Sequence, residues 1–191
     1  MKKETSPHKQ DRAKKIFQRL ERAYPNAGIT LRFANPWELL VAVILSAQCT
    51  DKKVNEVTGK LFRKYRTLDD YIRASYSARA KKEFEQMIRP TGFYRAKAKH
   101  ILASAKLVKE KFGGKVPKTM EEMLTLRGVA RKTANVVLGN AYGVIEGIAV
   151  DTHVGRLSQR LKLSESRDPK KLNKTSCDCS PKKIGSAPPT F

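Results

Sequence analysis

Apolar positions recur at helical intervals along most of the chain. Ile16, Leu20 and Tyr24 fall four residues apart ahead of Pro25, which stops a first helix. Residues 37–48, WELLVAVILSAQ, are apolar on nearly every side. That pattern predicts a central buried helix, too short to cross a bilayer. Val54, Val57, Leu61 and Tyr65 make the next stripe, and Thr67 with Asp70 has the spacing of a capping pair at the start of another helix. Ser77 is placed to cap a helix carrying Phe84 and Ile88, after which Pro90 and Gly92 break the pattern. A longer stripe of Ile101, Ala105, Val108 and Phe112 runs to Gly113-Gly114, and Thr119 with Glu122 gives a second capping-box signature. No alternating segment is long enough for a sheet, and no internal repeat is present. The expectation is an all-α architecture of roughly eight helices.

Charge changes the picture more than composition does. Against 18 Asp+Glu stand 40 Lys+Arg, a formal +22, far beyond what solubility requires. Such an excess meets a polyanion, most commonly nucleic acid, although acidic membranes and ribosomal particles also attract basic chains. The opening MKKETSPHKQ lacks the apolar stretch of a secretory signal, and no apolar run reaches spanning length. An intracellular protein without a membrane partner is expected, cytoplasmic and nucleoid-associated if bacterial. Cys49, Cys177 and Cys179 do not make a disulfide framework, and Cys49 reads as a buried small apolar residue. After Leu163 the chain turns to SESRDPKKLNKTSCDCSPKKIGSAPPTF, rich in Ser, Pro and Lys. The organisation read from these shifts is a basic tail at 1–10, a helical domain at 11–163 and a disordered tail at 164–191.

The segment MLTLRGVARKTANVVL, residues 123–138, carries the chemistry. Apolar residues flank a tight Gly128-centred turn on both sides, which reads as helix, hairpin, helix. Such a turn leaves backbone N–H groups outward at the start of the second helix, where a phosphate can dock, and Arg127, Arg131 and Lys132 reinforce that field. As a bare pattern it also suits an ordinary αα-hairpin. Lys132 reads blandly as a solvated lysine, yet the positive end of a helix favours the neutral, nucleophilic amine. Further along, IAVDTH (148–153) leads into a helix bearing Val154, Leu157 and Leu161, with Asp151 as its N-cap. A cap is also a rigid mount for a carboxylate. His153 is read as orienting neighbours, because neither His8 nor His100 offers a metal-ligand spacing with it, and no metal site is expected.

LRGVARKTANVVL followed by IAVDTH resembles the helix-hairpin-helix and catalytic loop of endonuclease III-type DNA glycosylases. LSAQCTDKKVN at 45–55 and IRPTGFYRAKA at 88–98 resemble two further blocks of that family in the same order. The similarity covers residues 10–163. It implies a two-lobed all-α helix-hairpin-helix glycosylase fold that grips double-stranded DNA, bends it and extrudes a damaged base, acting as a monomer. Lys132 matches the family's Schiff-base lysine and Asp151 its catalytic aspartate. Gln48 and Phe93 match the residues that fill the gap of the flipped nucleotide and wedge the opposite strand. Arg127, Gly128, Val129, Ala130, Arg131 and Thr133 complete the DNA-binding set. The implied activity is base-excision repair of oxidised pyrimidines by a bifunctional glycosylase/AP lyase.

Two departures stand out. Family hairpins usually read Leu-Pro-Gly-Val-Gly, where this chain has Arg127 and Ala130; a positive φ at Ala130 would cost on the order of 1 kcal/mol. The family continues with further helices and four cysteines holding a [4Fe–4S] cluster, whereas Cys177-x-Cys179 offers two ligands, so no cofactor is expected. The reading is of a truncated or frame-altered C-terminus with an incomplete lobe, leaving Ile16, Leu20, Val154 and Leu157 without partners. The alternative is a catalytically impaired DNA-binding remnant of the family. The adenine-removing branch fits less well, because it lacks a lysine at the position of Lys132.

Overall fold

The computed structural model describes residues 6–147 and 150–164. Among them lie nine α-helices and no strand, with a single 3₁₀ turn at Arg89–Thr91. The helices are α1 (Ser6–Ala23), α2 (Pro36–Ser46), α3 (Asp51–Lys64), α4 (Leu68–Tyr76), α5 (Ala78–Ile88), α6 (Tyr94–Phe112), α7 (Met120–Thr125), α8 (Arg131–Tyr142) and α9 (Thr152–Arg160). The all-α architecture read from the periodicity is the one observed.

The centre is α2. Asn35 caps it by accepting from the Glu38 N–H at 2.9 Å, and Pro36 takes the first position, where its missing N–H is no loss. Leu39, Leu40, Val41, Ala42 and Leu45 are fully buried, with α3, α6 and α8 packed around them. Each buried leucine contributes about 1.5–3 kcal/mol of transfer free energy. The stripe Val54, Val57 and Leu61 of α3, with Tyr65 just past its end, is buried as its spacing predicts. Tyr65, Tyr71 and Phe84 pack pairwise at ring separations of 5.2–5.9 Å, and Trp37 meets Tyr71 edge-on at 5.3 Å. The predicted capping pairs form: Asp70 Oδ2 accepts from the Thr67 N–H at 2.8 Å, and Thr119 Oγ1 accepts from the Glu122 N–H at 3.3 Å.

Some expectations need revising. Helix α1 begins at Ser6, inside the stretch read as a basic tail; Pro7 sits in its first turn, where proline is tolerated, and nothing after it interrupts the helix. Cys49 is only partly buried, because it follows the end of α2 in the loop to α3, its N–H bonding to the Ser46 carbonyl at 3.0 Å. Of the residues expected to lack partners, Ile16 and Val154 are partly covered, while Leu20 and Leu157 are 46% and 53% exposed. Arg12 of α1 donates to the carbonyls just past α9, those of Leu161 and Lys162, the latter at 3.0 Å. The expected disorder of the C-terminal tail, and Cys177 and Cys179 within it, fall beyond Ser164 and so outside the described residues.

Candidate active site

The hairpin joins α7 to α8 through Leu126–Ala130. Leu126 and Val129 turn inward and are buried, and the Val129 N–H closes the turn on the Leu126 carbonyl at 3.3 Å. Gly128 has φ +75°, and a Cβ built there would lie 2.6 Å from His100 Nδ1. Glycine is therefore required twice, by the backbone angle and by the imidazole of α6 pressed against the turn. Ser104, one turn along α6, donates to the Arg127 carbonyl at 3.0 Å. His100 and Ser104 thus seat the hairpin, a role that single-residue patterning did not reveal.

Ala130 is extended, φ −95° and ψ 169°, so the strain anticipated for a left-handed alanine does not arise. It caps α8 without a side-chain hydrogen bond, and the first helical bond runs from the Ala134 N–H to the Ala130 carbonyl at 2.9 Å. The amides of Arg131, Lys132 and Thr133 precede that bond, at the positive end of the helix. Arg127, Arg131 and Lys132 are exposed around them, with Thr133 partly covered.

Asp151 is the N-cap of α9, as its sequence context predicts. Oδ1 accepts from the N–H groups of His153 at 3.0 Å and Val154 at 2.9 Å, while Oδ2 faces Lys132 Nζ at 3.4 Å. One oxygen fixes the carboxylate to its helix and the other is presented to the amine. Partial burial works against the charged form, but the Val154 N–H, the charge and hydrogen bond of Lys132 and the His153 N–H outweigh it, holding the carboxyl below its usual range. The two residues thus stand at the starts of different helices with their functional groups in contact. The contribution of His153 to this pair is its backbone N–H.

Gln48 stands in the loop between α2 and α3, and Phe93 between the 3₁₀ turn and α6. Both are exposed, Phe93 at 70%, and both adopt left-handed backbone, φ 54° and 46°. Non-glycine residues rarely hold this conformation, and where they do the surroundings impose it. Sequence reading marked both positions but not their backbone. Among the described residues no group of three or more His, Cys, Asp or Glu side chains is placed to hold a metal ion.

Comparison with known proteins fits this geometry. Residues 41–181 match the family of HhH-GPD superfamily base excision DNA repair proteins, a match running past Leu163 into the stretch set apart by its composition. Endonuclease III of Synechocystis sp. is 49% identical over 166 residues, 87% of this chain and 74% of the relative. Endonuclease III of Bacillus subtilis is 48% identical over 145 residues, 76% of this chain and 64% of the relative. A solved structure of a trapped endonuclease III–DNA covalent intermediate superposes with a TM-score of 0.82 at 42% identity, covering 91% of this chain and 79% of that one. A left-handed hairpin glycine, an uncapped helix start behind it and an amine–carboxylate pair are thus found in a sequence matched over most of its length, and the chain belongs to the HhH-GPD superfamily of base excision DNA repair proteins.

Proposed function

We propose that the chain is a bifunctional DNA glycosylase/AP lyase that removes oxidised pyrimidines from double-stranded DNA and nicks the strand at the resulting site. The observation that carries this reading is the Lys132 Nζ to Asp151 Oδ2 contact of 3.4 Å at two helix starts. Lys132 is the nucleophile. Its amine attacks C1′ as the glycosidic bond breaks and the base leaves with the bonding pair; Asp151 takes the amine proton and stabilises positive charge on the sugar. The C1′–O4′ bond then breaks, O4′ takes up a proton and the nitrogen lone pair forms the protonated imine, which activates C2′; a proton leaves that carbon to solvent, the C3′–O bond breaks with the 3′-phosphate as leaving group, and water hydrolyses the imine to free Lys132. Strand scission follows by β-elimination, with no oxidant or reductant.

The +22 charge supplies long-range attraction to the duplex. The exposed Arg127 and Arg131, with the amides of Gly128, Ala130 and Thr133, hold phosphates next to the extruded nucleotide. Gln48 enters the vacated space and Phe93 wedges the opposite strand, as their exposure allows. The protein acts as a monomer, and no helix among the described residues is long and apolar enough to cross a membrane.

A [4Fe–4S] cluster does not fit this chain. Four thiolates hold such a cluster, and these 191 residues contain three cysteines, of which Cys49 stands in the α2–α3 loop. The reaction is assigned to side chains alone. The test is single-turnover nicking of a duplex carrying thymine glycol by the purified chain. Base release and a β-elimination end are expected; salt-sensitive duplex binding without either product would replace this reading with a non-catalytic DNA-binding remnant.

A further inference from the structure

Lys97 stands on the core stripe of α6, one turn before Ile101, and is 5% exposed. A leucine or methionine there would fill the space without desolvating an amine. Burial is the main influence on it and pushes its pKa down, with Cys49 acting weakly the other way. Among the described residues no ion pair joins it to a carboxylate. Its Nζ instead donates to two backbone carbonyls, Leu45 and Thr91, each at 2.8 Å.

Those carbonyls locate its task. Leu45 is in the last turn of α2, three residues before Gln48, and its carbonyl is one of those a helix end leaves without a partner. Thr91 ends the 3₁₀ turn, two residues before Phe93. The backbone N–H of Lys97 bonds a third carbonyl, that of Phe93, at 3.1 Å. Among the described residues three that are not glycine have positive φ, Gln48, Phe93 and Lys162, and the first two are the ones whose loops Lys97 joins.

We propose that Lys97 is a positioning residue that ties the Gln48 loop to the Phe93 loop, so that both side chains meet the duplex as one rigid unit when a base is extruded. This rests on the function proposed above. Lysine suits the task because a single ammonium offers three donors in a tetrahedral array, enough to bridge two carbonyls from different segments at once. An apolar replacement leaves both carbonyls buried and unpaired, and frees each loop to relax out of its left-handed conformation.

The experiment compares two substrates, a fully paired thymine glycol duplex and a duplex with a preformed abasic site, which has no base to unstack. Base release or nicking under single turnover is followed for the wild type, Lys97→Met, Lys97→Gln, Phe93→Ala and the double variant Phe93→Ala with Lys97→Met, alongside thermal unfolding. Lys97→Met is expected to slow base release about tenfold and abasic nicking less than about threefold, with the glutamine variant between it and the wild type. Added to Phe93→Ala, it is expected to change base release by less than about twofold, because the two loops act as one unit that Phe93→Ala has already disabled. Equal loss on the two substrates, no loss on either, or full additivity with Phe93→Ala would overturn the inference. So would loss of the folded state in both Lys97 variants, which would make the residue a requirement of the fold alone. Wild-type inactivity on both substrates would sink the enzymatic reading itself, a result distinct from all of these.

Discussion

The two halves of the ion pair come from unlike surroundings. Lys132 begins α8, whose Ala134, Val137 and Leu138 are fully buried against α2 and its neighbours. Asp151 begins α9, whose apolar residue Leu157 is more than half exposed, opposite α1 with its exposed Leu20. The first region is held by close packing. The second is held by a few polar contacts: the Asp151 cap, the Arg12 contacts to the end of α9, and the Lys132–Asp151 contact itself. A surface ion pair contributes about 0–1 kcal/mol, and a cap about 0.5–2 kcal/mol. The amine is therefore fixed by the core, and the carboxylate by the start of its own helix. Rate and stability should separate accordingly when each side is altered.

The largest separation is expected at Lys132. Lys132→Gln should lower base release and nicking about a thousandfold or more with less than about 1 kcal/mol lost in stability, since the side chain is about half exposed; single-turnover assays and thermal melts check both. Asp151→Asn keeps a good capping residue but removes the charge, so activity should fall about 10²–10⁴-fold while stability drops by less than about 1 kcal/mol. The reverse pattern belongs to the packed region. Leu40→Ala should destabilise by about 2–5 kcal/mol, against less than about 0.5 kcal/mol for Leu157→Ala on α9, as read by denaturant unfolding. Similar values for the two would erase the distinction between the regions. Gly128→Ala should cost about 1–2 kcal/mol from its positive φ alone, with more for displacing His100, and should weaken duplex binding through the hairpin.

The smallest effect is on pH. The folded-state pKa of Asp151 is depressed, so its contribution to stability is fully present above about pH 4, the ordinary aspartate value. It is lost as the pH falls through the depressed value. The stability difference between wild type and Asp151→Asn should therefore shrink on acidification below about pH 4, and a difference that grows there would contradict the assigned partners.

Much of this was legible in the chain, for local reasons. A run apolar on all sides has one stable place, the centre, and α2 occupies it. Capping signatures at Thr67, Thr119 and Asp151 depend only on neighbours a few residues away, and each forms. Gly128 announced the hairpin. What stayed hidden depends on distant residues. Nothing near Gln48 or Phe93 in the sequence signals left-handed backbone; the anchor is Lys97, and its clue was a lysine standing where the α6 stripe calls for an apolar side chain. The seating of the hairpin by His100 and Ser104 likewise exists only after folding. Ala130 was weighed by its place in a family pattern, but its extended backbone shows that the turn needs one left-handed residue, which Gly128 provides.

The most direct test of the central claim is reduction with borohydride during reaction on an abasic-site duplex, followed by mapping of the cross-linked peptide. The account predicts a covalent protein–DNA adduct carried by Lys132 and lost in Lys132→Gln. An adduct mapped to another amine, or none from a folded chain that binds the duplex, would contradict it.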